Sequence, residues 1–250
     1  MTRNLNAARV TQGWAVQILL LTWADGSMDA LGYLGLEHVF TANMTGNTVL
    51  LGLAAGRGQL LAALRSLSAL LGFLAGVAIG AVAIQRQKPA SSIKRAISRA
   101  VLVEGVVLLL FTLLWHLPAD ATGPAAVLVL TALAAIAMGI QSAVVRRMNL
   151  PGIATTYITG TITSLAGLTN RLIRAQALSR STGIAGRATM RGHRVQLQAG
   201  VFLVYGIAAV MSGVFQMRVP ALVAFSPLGA IVLVFVLTQR LGAGEEPAAG

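Results

Sequence analysis

No cysteine occurs in these 250 residues, which excludes disulfides, thiol nucleophiles and thiolate metal sites. Acidic residues are almost as scarce: seven Asp and Glu stand against 19 Lys and Arg, and charged residues make up 10% of the chain. A soluble domain carries roughly 25% charged residues, so this chain lacks the polar surface that water demands. Histidine is confined to His38, His116 and His193, too scattered to suggest a metal site. No nucleophile–base constellation or metal-ligand spacing points to an enzyme, and no cofactor is implied. What is present is apolar: 56% hydrophobic residues, a mean hydropathy of +0.77, and long stretches without charge. That pattern predicts an all-α polytopic membrane protein folded as one domain over residues 1–250.

The net charge of +12 does not point to nucleic acid. Its Lys and Arg fall in short tracts between apolar segments, as in loops facing the cytoplasm. The N-terminus resembles a signal peptide (Arg3, Arg9, then apolar residues from Trp14). No small-residue cleavage site follows and Asp25 interrupts the run, so a retained first helix is expected.

Six segments are long enough to cross, near 14–36, 61–85, 100–117, 124–145, 197–217 and 221–239. Two shorter ones, 44–56 and 157–170, begin with polar residues. They resemble each other: TANMTGNTVLLG (41–52) aligns with TTYITGTITSLAG (155–167) through Thr41/Thr155, Thr45/Thr159 and Gly46/Gly160. Upstream, Gly26 and Ala30 match Gly139 and Ala143, and each copy is followed by two long apolar segments. The chain therefore reads as two repeats, about 12–117 and 122–240. If the short segments do not cross, only Arg57, Arg65 and Arg218 of the 19 basic residues fall outside; if they cross, the asymmetry largely disappears. Three crossings per repeat invert the second repeat against the first. The expected architecture is six transmembrane helices plus two re-entrant half-helices in two inverted repeats, with both termini cytoplasmic.

In that arrangement the polar heads of the half-helices meet near the midplane, where free N–H groups need partners. Asn43, Thr45, Gly46 and Asn47 from the first copy, with Thr155, Tyr157, Thr159, Gly160 and Thr161 from the second, form the expected solute-binding set. Thr and Asn also cap helices, and small polar residues glue helices together. Asp25 and Asp29 lie at i and i+4, hence on one helix face, and acids inside a crossing mark ion-coupling positions. Glu104, read as one turn into its helix, is expected to reach the basic inner interface. Gly72, Gly76 and Gly80 form a stripe for close helix packing.

Three motifs carry a resemblance that covers nearly the whole chain: Asp29-Ala30-Leu31-Gly32, Met44-Thr45-Gly46-Asn47 and Thr159-Gly160-Thr161. With them the sequence resembles the YoaK-like bacterial membrane proteins, a family without an established activity. The resemblance implies a bacterial plasma membrane location and nothing about chemistry. The residues themselves suggest a secondary carrier of a small solute, with proton or cation coupling through Asp25 and Asp29. A channel for a small polar solute is the alternative, and a non-transporting scaffold a third. The partners implied are the lipid bilayer and an unidentified small solute, with homo-oligomerisation left open.

Overall fold

A computed structural model describes residues 2–85, 93–117, 123–148 and 186–243. Among them every regular element is helical: α1 (Thr2–Gly35), α2 (Met44–Gly56), α3 (Leu60–Gln85), α4 (Ile93–Trp115), α5 (Pro124–Met148), α6 (Gly186–Arg218) and α7 (Phe225–Ala243), with a 3-10 turn at Pro220–Leu222. The expected segment 157–170 lies outside the described residues. The basic connectors are shorter than the sequence suggests. Helix α4 takes Lys94, Arg95 and Arg99 into its first turns, and α6 reaches back to Gly186.

Five helices are long and apolar enough to cross a membrane: α3, α4, α5, α6, and α7 together with the turn before it. Their outward faces carry Leu64, Leu71, Leu74, Leu203, Ile207 and Val210, all exposed. Such a surface suits hydrocarbon rather than water. Helix α1, expected to be the first crossing, has the length but not the composition. Gln17, Thr22, Asp25, Ser27 and Asp29 fall within one stretch of it, and every one of these side chains is buried against protein. The greasy helices surround it, so it can be polar.

Helices α1 and α5 form the centre. Helix α5 packs on α3 and α4, while α1 packs on α6 and α7; α4 and α7 also touch. The α3–α5 crossing is close because of glycine. A Cβ on Gly76 would stand 2.1 Å from the Ile136 carbonyl oxygen, and one on Gly139 would stand 2.3 Å from that of Phe73. Gly72 and Gly80 continue the stripe against Ala132 and Ile140. The α1–α6 crossing repeats the device once: a Cβ on Gly26 would stand 2.5 Å from the Tyr205 carbonyl oxygen.

Helix α2 folds back on α3 as a hairpin. Its end is a Schellman motif, in which Gly58 (φ +67°) adopts the left-handed conformation that a Cβ disfavours. The N–H of Gln59 donates to Ala54 O at 2.9 Å and that of Gly58 to Ala55 O at 3.1 Å. Thirteen residues of α2 make a helix of about 20 Å against about 39 Å for the 26 residues of α3. The head of α2 therefore stands about half-way along α3.

Candidate functional site

The chain enters α2 through residues 36–43, which are not helical. Two left-handed non-glycine residues, Glu37 (φ 62°) and His38 (φ 66°), end α1 and turn the chain. A backbone in this state carries unpaired N–H and C=O groups, and each needs a partner when buried. The partners come from three side chains, two inside the sequence motifs (Asp29 and Asn47) and one, Asn43, immediately before Met44.

Asp29 supplies the first set. Its Oδ1 accepts from the backbone N–H of Ala42 at 2.7 Å and of Thr41 at 2.8 Å. The Asn43 N–H and the Thr41 hydroxyl add longer bonds at 3.3 Å. Its Oδ2 accepts from the Tyr205 hydroxyl of α6 at 2.5 Å. Asp29 is 3% exposed, so this is a carboxylate surrounded by donors rather than by water. Three successive backbone amides, those of Thr41, Ala42 and Asn43, converge on that one oxygen.

Asn47 supplies the second set. Its side-chain amide donates to Phe40 O at 2.6 Å and its carbonyl accepts from Phe40 N–H at 2.9 Å, like one rung of a sheet. Asn43 is the third: as N-cap of α2 it accepts from Gly46 N–H at 3.1 Å. Glycines make room for these contacts. A Cβ on Gly46 would stand 2.8 Å from the Phe40 ring, and one on Gly32 would stand 2.8 Å from Val39 O. The motifs Asp29–Gly32 and Met44–Asn47 thus have a direct physical meaning. They fasten an irregular connector to α1 and set the head of α2.

The residues expected to bind solute divide accordingly. Asn43 and Asn47 are brought together with Asp29, but the side-chain oxygen of Asn43 and both polar atoms of the Asn47 amide are bonded to the chain itself. Gly46 serves the Phe40 ring, and Thr45 is exposed on α2. Thr155, Tyr157, Thr159, Gly160 and Thr161 lie outside the described residues.

Asp25, one turn before Asp29, faces a different neighbourhood. It is 0% exposed, and its charge acts on Glu104 of α4 and on Tyr205 of α6. Glu104 is also 0% exposed. It does not reach the interface as expected, because α4 begins at Ile93 and places it deep in the bundle. Gln141 of α5 joins this region: its amide donates to Leu21 O of α1 at 3.0 Å. Gln17 and Gln198 are buried as well. Among the described residues no group of three or more His, Asp or Glu is arranged to hold a metal ion.

Sequence reasoning did not single out Tyr205 and underrated Glu104. The weak signal for Glu104 was its position in an otherwise uncharged run from Ala100 to Trp115. For Tyr205 no local signal exists, since its partner is 176 positions away.

Helices with lipid-suited faces, arranged around a polar centre, define a multi-pass helical membrane protein. The sequence model of the family described as "Protein of unknown function (DUF1275)" matches residues 17–238. The chain belongs to that family. It is 39% identical over 146 residues to the "UPF0700 transmembrane protein YoaK" of Bacillus subtilis (strain 168). That similarity covers 58% of this chain and 63% of the relative. No solved structure matches.

Proposed function

We propose that the protein is a secondary carrier of a small solute, driven by an ion that binds among the buried acids. The observation that carries the reading is the set Asp25, Asp29 and Glu104, all buried in one apolar bundle with Tyr205 beside them. Ionisable side chains inside a membrane are costly, and they persist where they move charge or bind a solute.

The inverted-repeat architecture belongs to this reading, with support from the packing. Under the pairing α1 with α5, α3 with α6 and α4 with α7, the α3–α5 crossing corresponds to α1–α6, and α4–α5 to α1–α7. The matched glycines obey the same pairing: Gly139 lies against Phe73 and Gly76, and Gly26 against Tyr205 and Ala208. The head of α2 half-way along α3 suits a re-entrant half-helix. A six-crossing topology with cytoplasmic termini in a bacterial plasma membrane completes the proposal, and Thr45 and the second-copy threonines remain its solute contacts.

One observation favours a different reading, a non-transporting scaffold: the head of α2 is closed on its own connector by Asp29, Asn43 and Asn47. The carrier reading accommodates it if the connector releases during the cycle. A thermal-shift screen of the purified protein against small solutes separates the two. A ligand that prefers the folded state raises the melting temperature. A solute that does so, and is taken up by proteoliposomes, supports the carrier; no stabilising solute and no uptake across the screen favours the scaffold.

A further inference from the structure

Glu104 is a buried carboxylate without a hydrogen bond: among the described residues neither Oε1 nor Oε2 meets a donor. Its side chain is 0% exposed, within the apolar run of α4. The cations on helices packed against α4 are Arg65 on α3, Arg146 and Arg147 on α5 and Arg240 on α7, each near a helix end. Those of α4 itself are Lys94, Arg95 and Arg99 near its start and His116 just past its end. Tyr205 directs its hydroxyl to Asp29, not to Glu104.

A second observation comes from the amides around Asp25. Gln141 is anchored through its N–H group on Leu21 O. That carbonyl points along α1 towards residue 25, so the Gln141 amide stands at the level of Asp25. Its own Oε1 is buried without a donor. Gln17 lies two turns before Asp25 on the same face of α1, and neither atom of its amide is bonded among the described residues. The Glu104 carboxylate, in so dry a place and with no donor to either oxygen among the described residues, is costly to keep charged. One added hydrogen removes that charge and supplies a donor.

The geometry points to Glu104 as a proton-binding site that carries an exchangeable proton in the apolar interior of the bundle. The step is simple: a proton arriving from water bonds to one Glu104 oxygen, and its release restores the carboxylate. The inference deepens the carrier reading, on which its purpose rests, by naming the driving ion as a proton.

Infrared spectroscopy of the purified protein in lipid, with no solute added, tests it. At neutral pH the wild type should show the carbonyl stretch of a protonated carboxylic acid, shifted downward in D2O. Glu104→Gln should remove the band, Asp29→Asn should keep it, and Asp25→Asn should keep it at a changed frequency. If Glu104→Gln fails to fold, Glu104→Asp should preserve the acid and displace its band. Absence of the band in the wild type, its survival in Glu104→Gln, or its failure to shift in D2O would overturn the inference. So would its loss on adding sodium in place of choline, which would mark a metal-ion site. Solute flux without the band contradicts the proton site and leaves the carrier standing; the band without flux does the reverse.

Discussion

Replacing Asp29 probes the joint between α1, the connector and α6. In Asp29→Ala the backbone N–H groups of Thr41 and Ala42 and the hydroxyl of Tyr205 lose their acceptor at once. Thr41 and Ala42 are 0% and 2% exposed, so water does not replace it without local opening. An unsatisfied buried donor costs about 1–3 kcal/mol, which puts the substitution at about 3–6 kcal/mol after some relaxation. Asp29→Asn keeps one acceptor oxygen but loses the charge, and should cost about 1–2 kcal/mol. Tyr205→Phe removes a single charge-assisted bond, and its effect should not add to that of Asp29→Asn because the two share that bond. Thermal unfolding in detergent gives the order: wild type, then Asp29→Asn and Tyr205→Phe, then Asp29→Ala. A local readout accompanies it. Val39 is 2% exposed, so a thiol introduced by Val39→Cys in this cysteine-free chain should react slowly with maleimide, and quickly once Asp29→Ala is added. Equal melting temperatures and equal labelling rates would refute the idea that Asp29 fastens the connector.

Other perturbations follow from individual contacts. Gly76→Ala should push α3 and α5 apart and lower stability by about 1–3 kcal/mol or more, whereas Gly52→Ala, with nothing within 4 Å, should be neutral or slightly stabilising; thermal melts compare them. Asn47→Ala should cost about 1–3 kcal/mol by unpairing Phe40, and Asn47→Asp should recover only the bond to the Phe40 N–H. His116, just past α4, places Nδ1 2.6 Å from Thr112 O and Nε2 2.7 Å from Ala221 O, so only the doubly protonated ring can donate to both. These carbonyls raise its pKa above the ordinary value of 6.5. The stabilisation is full at pH below that ordinary value and is lost as pH rises through the elevated folded value; melting temperature against pH should show this slope in the wild type and not in His116→Phe.

Much of the scaffold was legible because membrane insertion imposes a strong pattern. Apolar runs marked α3, α5 and α7 closely, and the short segment read at about 44–56, polar at its head, coincides with α2. Asn43 three residues before Gly46 was readable as a cap, since capping is local. The bond of Asn47 to the backbone of Phe40 was not, because it needs the connector to curl back over the helix it precedes. Charge misled the boundary of α4: Lys94, Arg95 and Arg99 look like a loop but lie on a helix, and that shift took Glu104 from the interface to the interior. The pairing of Asp29 with Tyr205 rests on a helix crossing set by Gly26, which no local pattern predicts.

Proton movement accompanying solute uptake tests the central claim most directly. Protein reconstituted in liposomes with a trapped pH indicator, supplied with a solute found by thermal shift, should change the internal pH only while that solute moves. Glu104→Gln and Asp25→Asn, folded as judged by their melting curves, should abolish the pH change. A solute that crosses with no pH change in the wild type, or with the same change in both variants, would contradict proton-driven transport through the buried acids.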